Sequence, residues 1–225
     1  MGDILVRIAC LAIGYLFGLF QTAYIYGRCK GIDIRKYGSG NAGTTNTMRV
    51  LGTKAGLIVF AGDVLKCIAA VLLVTALFSG SHPEMIYLLK MYTTAGCVLG
   101  HDYPFYMNFK GGKGIAVTAG FILSYQWTFI PVGVLMFFVP FLTTHYVSLG
   151  SLLVYVGFMI QLVIEGQLGM LGAPQPVLIE MYVIGAALAA MAFYQHRANI
   201  GRLLKGTERK TYLRHNKALL DPDKK

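Results

Sequence analysis

Leu57 to Phe78, LIVFAGDVLKCIAAVLLVTALF, is a run of 22 residues in which Asp63 and Lys66 are the only charges. About 20 predominantly apolar residues is what an α-helix needs to cross the ~30 Å hydrocarbon core of a bilayer, so the run predicts a transmembrane span. The ionisable pair inside it stands three residues apart, where each charge neutralises the other, and reads as structural.

The rest of the chain has the same character. The 225 residues are 56% hydrophobic and 13% charged, with a mean hydropathy of +0.58, more apolar surface than one soluble core needs. Ile4 to Tyr26 forms an earlier span, too long for a signal-peptide h-region and without a basic n-region or small-residue cleavage site. Further spans are expected at about Ile86 to Leu99, Leu149 to Ile164 and Ile179 to Tyr194. Ile115 to Tyr146 exceeds one span and falls short of two, which fits a short helix, a turn near Ser124 to Trp127 and a second helix from Phe129. The expected fold is an all-α integral membrane protein of about seven transmembrane helices, one unit over residues 1–225. Cys10, Cys29, Cys67 and Cys97 lack any C-x-x-C or metal-like spacing and read as reduced packing residues.

Charge orients the bundle. Of 20 Lys and Arg, 17 fall in the segments before the second span, between Phe109 and Gly114, and after His196; Arg7, Lys66 and Lys90 are the exceptions. The positive-inside rule then puts the N-terminus outside and the C-terminus in the cytoplasm. The net charge of +10 is explained by basic loops facing an anionic leaflet and calls for no nucleic-acid partner.

Three polar stretches fall on that cytoplasmic side. The first, Tyr37 to Arg49, reads as a loop and offers Ser39, Asn41, Gly43, Thr45 and Asn46 as hydrogen-bonding groups, with Arg49 as a planar fork for phosphate. The second contains His101 and Phe109-Lys110-Gly111-Gly112-Lys113-Gly114, where glycines free the backbone for an amide concavity and two lysines bring charge. A nucleotide P-loop is excluded, because G-x-x-x-x-G-K-[ST] needs glycine at Met107 and a hydroxyl at Gly114. The H-x-x-x-x-D base of acyl-CoA-dependent glycerolipid acyltransferases is excluded too, since Tyr106 stands where the aspartate belongs. The third, His196 to Glu208, puts His196 and Asn199 on one face if helical. Each stretch taken alone also reads blandly, as a hydrated or topology-fixing loop or an interfacial histidine. Beside an enzyme, these residues suit a phosphate-type anion transporter, although transporters generally build their sites at mid-membrane from related halves.

Together, Ser39-Gly40-Asn41-Ala42-Gly43, Gly100-His101 to Gly114, and His196 to Glu208 resemble the three motifs of the bacterial membrane glycerol-3-phosphate acyltransferases that use acyl phosphate as donor. Thr44 and Val117 depart from that pattern, with Thr118 a neighbouring hydroxyl. The resemblance implies acyl transfer from acyl phosphate to the 1-hydroxyl of sn-glycerol 3-phosphate, giving lysophosphatidic acid and phosphate. It implies an inner-membrane monomer whose site faces the cytoplasm, in contact with membrane lipid, with no metal or cofactor. Ser39, Arg49, Lys110, His196 and Asn199 are the expected catalytic residues. Asn41, Gly43, Thr45, Asn46, His101, Gly111, Gly112, Lys113, Gly114 and Glu208 are expected to bind substrate. The amides of Gly111 to Gly114 are expected to cradle the acyl-phosphate headgroup, and Glu208 to form a weak surface ion pair with Arg202 or Arg209.

Overall fold

The computed structural model describes residues 3–212, and the expected basic tail beyond them lies outside the described residues. Among the described residues it is helical, without strands: α1 (Asp3–Gly18), α2 (Thr22–Cys29), α3 (Thr44–Leu51), α4 (Thr53–Phe78), α5 (Ile86–Asp102), α6 (Ile115–Tyr125), α7 (Phe129–Thr144), α8 (Val147–Gln167), α9 (Gln175–Gln195) and α10 (Arg197–Leu204). Four segments of the described residues are long and apolar enough to cross a membrane: Asp3–Cys29, Thr53–Phe78, Val147–Gln167 and Gln175–Gln195. The turn between α6 and α7 falls at residues 126–128, close to where the sequence predicts it.

Three expectations need correction. The first span is broken at Leu19 to Gln21 into α1 and α2. Such a break frees backbone carbonyls that lipid cannot satisfy, so side chains must. Lys66 Nζ donates to the carbonyl of Phe20 (2.7 Å), and Gln21 Nε2 donates to those of Gly18 (3.2 Å) and His101 (2.9 Å). Second, α5 continues one turn past Leu99, so His101 and Asp102 end a helix instead of beginning a loop. Third, Thr44 to Arg49 is the body of α3 and not a loop.

α1 and α5 pack backbone to backbone. Gly14-x-x-x-Gly18 on α1 faces Gly96-x-x-x-Gly100 on α5, and a Cβ at Gly14 would fall onto the carbonyl of Thr93, one at Gly96 onto that of Leu11. Small residues at this spacing let apolar helices approach where lipid supplies no hydrophobic drive. The main core then gathers α5, α6, α8 and α9 around Leu89, Phe121, Phe158 and Met181.

Candidate active site

The first stretch is pinned by its own asparagine. Asn46, buried in the first turns of α3, accepts from the Ser39 amide (2.7 Å) and donates to the carbonyls of Ile34 (3.2 Å) and Tyr37 (3.0 Å). Its polar atoms are thus spent on shaping the loop that carries Ser39, and it acts by positioning. Gly43 stands at the N-cap of α3, leaving the first-turn amides without helical acceptors.

The glycine connector is built differently from the expected cradle. The left-handed residues are Asn108 (φ 55°) and Phe109 (φ 56°), while Gly111 and Gly112 do not have positive φ. Their amides donate to the carbonyls of Asp102 (3.0 Å) and His101 (3.0 Å), so neither is available to an anion. These two glycines serve close approach: a Cβ at Gly111 would strike the His101 carbonyl, and one at Gly112 the His101 ring. His101 in turn is fixed by Lys66, with Nζ 2.9 Å from Nδ1. Lys66 also pairs with Asp63 at 2.9 Å. Gly114 alone of the three takes a left-handed φ, +73°, as the N-cap of α6. Lys110 is exposed and stands off the cavity wall, whereas Lys113 reaches it.

In the third stretch His196 ends α9 and caps α10. Its Nδ1 lies 2.8 Å from the Ala192 carbonyl, which fixes the Nδ1–H tautomer and leaves Nε2 with its lone pair. Burial, and then the nearby Lys113, push its pKa down to about 4, so the ring is neutral at physiological pH. Lys113 Nζ donates to Asn199 Oδ1, Asn199 Nδ2 to Glu208 Oε1 (2.8 Å), and Arg202 Nε to Glu208 Oε2 (2.7 Å). Glu208 is therefore a buried brace at 9% exposure, not the weak surface pair expected, and the chain it anchors fixes which way the Asn199 amide points.

These parts meet at one cavity of about 800 Å³, lined by Ser39, Asn41, Gly43, Thr45, Asn46, Arg49, His101, Lys113, Gly114, His196, Asn199 and Glu208 of the expected residues. The N-terminal ends of α3, α6 and α10 all contribute to its wall, each bringing unpaired amides and a positive dipole end. Arg49, whose Nη2 donates to Thr211 Oγ1 (2.8 Å), and Lys113 add full charge. Burial presses down the pKa of both, and neighbouring cations add to it: Arg209 for Arg49, Arg202 for Lys113. An incoming anion offsets both effects. From this polar end the cavity runs on between apolar faces of α6, α7 and α8.

The model of the family described as glycerol-3-phosphate acyltransferase matches residues 8–206. The chain belongs to that family. Curated glycerol-3-phosphate acyltransferases include one from Bacillus cytotoxicus, 37% identical over 202 residues (89% of this chain, 92% of that protein). Another, from Clostridioides difficile, is 38% identical over 214 residues (92% and 97%). The crystal structure of PlsY (YgiH), an integral membrane glycerol 3-phosphate acyltransferase, in its glycerol 3-phosphate form superposes with a TM-score of 0.78 at 30% identity, covering 92% of this chain and 96% of that one. The lysophosphatidic acid form gives 0.76.

For this glycerol-3-phosphate acyltransferase, sequence reasoning missed a layer beneath the cavity: Gln21, Lys66 and Asp102. Asp102 lies under the α6 N-terminus, its Oδ1 3.4 Å from where a Cβ on Gly114 would stand. A polar or charged residue inside an apolar run is the signal for Gln21 and Lys66, and Asp102 stands beside His101 just after one. Thr118, in contrast, has its hydroxyl bonded to the Gly114 carbonyl (2.9 Å) and Tyr155 (2.6 Å) and does not line the cavity.

Proposed function

We propose that the protein transfers the acyl group of acyl phosphate to the 1-hydroxyl of sn-glycerol 3-phosphate. The observation that carries this reading is the convergence of three helix N-termini with Arg49 and Lys113 at the mouth of an apolar groove. Two phosphates need two adjacent anion sites, and one substrate needs an alkyl slot beside them. In this reading the amides at the start of α6 and Lys113 hold the acyl-phosphate headgroup. Arg49, Ser39 and Asn199 orient glycerol 3-phosphate. Neutral His196 presents Nε2 as a hydrogen-bond acceptor that helps hold glycerol 3-phosphate in place, leaving the proton of the attacking hydroxyl to face the donor's phosphate. The hydroxyl oxygen bonds to the acyl carbon, the bond from that carbon to the bridging phosphate oxygen breaks, and the proton leaves on the departing phosphate. The donor is already an activated anhydride, so positioning and charge stabilisation suffice without an acyl-enzyme. Lys110 is assigned to the membrane-facing surface and left out of the chemistry.

The same proposal extends to topology and location: one unit of about seven transmembrane helices, α1 with α2, α4, α5, α6, α7, α8 and α9, of which the 11-residue α6 is shorter than a full crossing. The N-terminus lies outside, the C-terminus and the site lie at the cytoplasmic face of the bacterial inner membrane, and the enzyme is a monomer. An anion transporter is not favoured, because the donors gather at one end of the bundle and lead into an apolar groove. Product analysis tests the activity: wild-type protein given hexadecanoyl phosphate and glycerol 3-phosphate forms lysophosphatidic acid, and Arg49→Ala lowers the rate by about a hundredfold, the scale of one lost charge-stabilising group. Absence of that product with folded wild-type protein overturns the reading.

A further inference from the structure

The apolar groove has a measurable depth, a closed floor and an open side. Its lining on α6 runs from Ile115 to Leu123, eight residues apart, about 12 Å at the helical rise. At or within a turn of the groove's end each wall ends in an aromatic ring: Tyr125 on α6, Phe129 at the start of α7, Phe158 on α8. All three are buried, with ring centroids 5.2 Å apart for Tyr125 and Phe129 and 5.4 Å for Phe129 and Phe158. Beyond them the protein turns polar. Lys90 Nζ donates to the Tyr125 carbonyl (3.0 Å), and Thr128 Oγ1 donates to Glu165 (2.9 Å). The small void between Ile122, Phe129, Val154 and Phe158 that adjoins the groove's end has no space even for a water, so an alkyl chain finds no room to continue there. Its side is less closed: Leu123, Val134 and Phe138 line the groove and are nevertheless 50%, 47% and 44% exposed.

We propose that the donor's acyl chain is held only over its carboxyl-proximal part, and that the remainder passes out between Leu123, Val134 and Phe138 into the bilayer. The inference rests on the acyltransferase reading and adds its chain-length selectivity. A groove of about 12 Å is shorter than the ~15 Å of hydrocarbon in one leaflet, which a long acyl chain fills. The floor forbids going deeper and the slot allows leaving. Methylenes that lie in lipid both before and after binding contribute no affinity, because lipid tails are as apolar as the side chains they touch. Selection is therefore confined to the held segment, and long donors are used indiscriminately.

The test uses wild-type enzyme in phosphatidylcholine nanodiscs. An equimolar mixture of tetradecanoyl, hexadecanoyl and octadecanoyl phosphates gives products within about twofold of one another, since specificity is a difference of affinities and here the difference vanishes. Val134→Trp, which plugs the slot, lowers octadecanoyl use relative to decanoyl use by at least about fivefold, the scale of an overpacked contact. Hexadecanoyl phosphate with a photoreactive diazirine near its carboxyl end labels peptides of α6, α7 or α8, and with the diazirine near its methyl end labels lipid. Methyl-end labelling of Phe129 or Phe158, or an unchanged chain ratio in Val134→Trp, overturns the proposal. Labelling no stronger than with the matched fatty acid lacking phosphate would instead overturn the acyltransferase reading beneath it.

Discussion

Lys110 and Lys113 stand three residues apart in one glycine-rich stretch, and they have different surroundings. Lys113 is held by Asn199 at the cavity wall, with burial and then Arg202 lowering its pKa; Lys110 is exposed and does not line the cavity. Lys113→Met is expected to cost about 10²–10³ in kcat/KM, the scale of one lost charge-stabilising group, and Lys110→Met to change it by no more than about threefold. Steady-state kinetics on the two variants decides. The same burial sets a pH dependence. His196, pushed down to about 4, stays neutral through the physiological range, so activity shows no acid limb at the ordinary histidine pKa. The Lys113 pKa is lowered, so its charge is lost on the alkaline side before that of a free lysine, and activity falls there earlier than in Lys113→Arg. A pH–rate profile of both proteins checks the two signs.

At the scale of elements, what was legible in the sequence was what apolar length and charge encode. The long run ending at Phe78 became α4, the overlong stretch from Ile115 split where expected, and the three polar stretches came together at one cavity. Their backbone geometry was not legible. Gly111 and Gly112 read as freedom for an anion-binding loop, and in three dimensions they are the room needed for His101. Whether a glycine serves φ or proximity depends on a residue distant in contact terms, and periodicity does not report it. The facing Gly14-x-x-x-Gly18 and Gly96-x-x-x-Gly100 pairs were visible and went unread. Because each Cβ there would meet backbone that cannot yield, Gly96→Leu is expected to prevent α1 from docking on α5, costing at least the 1–3 kcal/mol of an overpacked core, roughly. Thermal unfolding in detergent would show it as a lowered Tm, while Gly80→Leu, with open space around its Cβ, leaves Tm unchanged.

Across the whole molecule, one design links the break in the first span to the chemistry. Lys66 and Gln21 satisfy the carbonyls freed at that break and also hold His101 and its carbonyl. His101 seats Gly111 and Gly112, and these set Lys113 and the start of α6 against the ends of α3 and α10. Three positive helix ends and two half-buried cations then share one cavity, which suits two phosphate-bearing substrates meeting at once. The measurement that tests this most directly is phosphate release from hexadecanoyl phosphate by the purified protein, with and without glycerol 3-phosphate. The account predicts release that requires the acceptor and yields lysophosphatidic acid in equal amount. Release at the same rate without the acceptor, or none from folded protein, would contradict it.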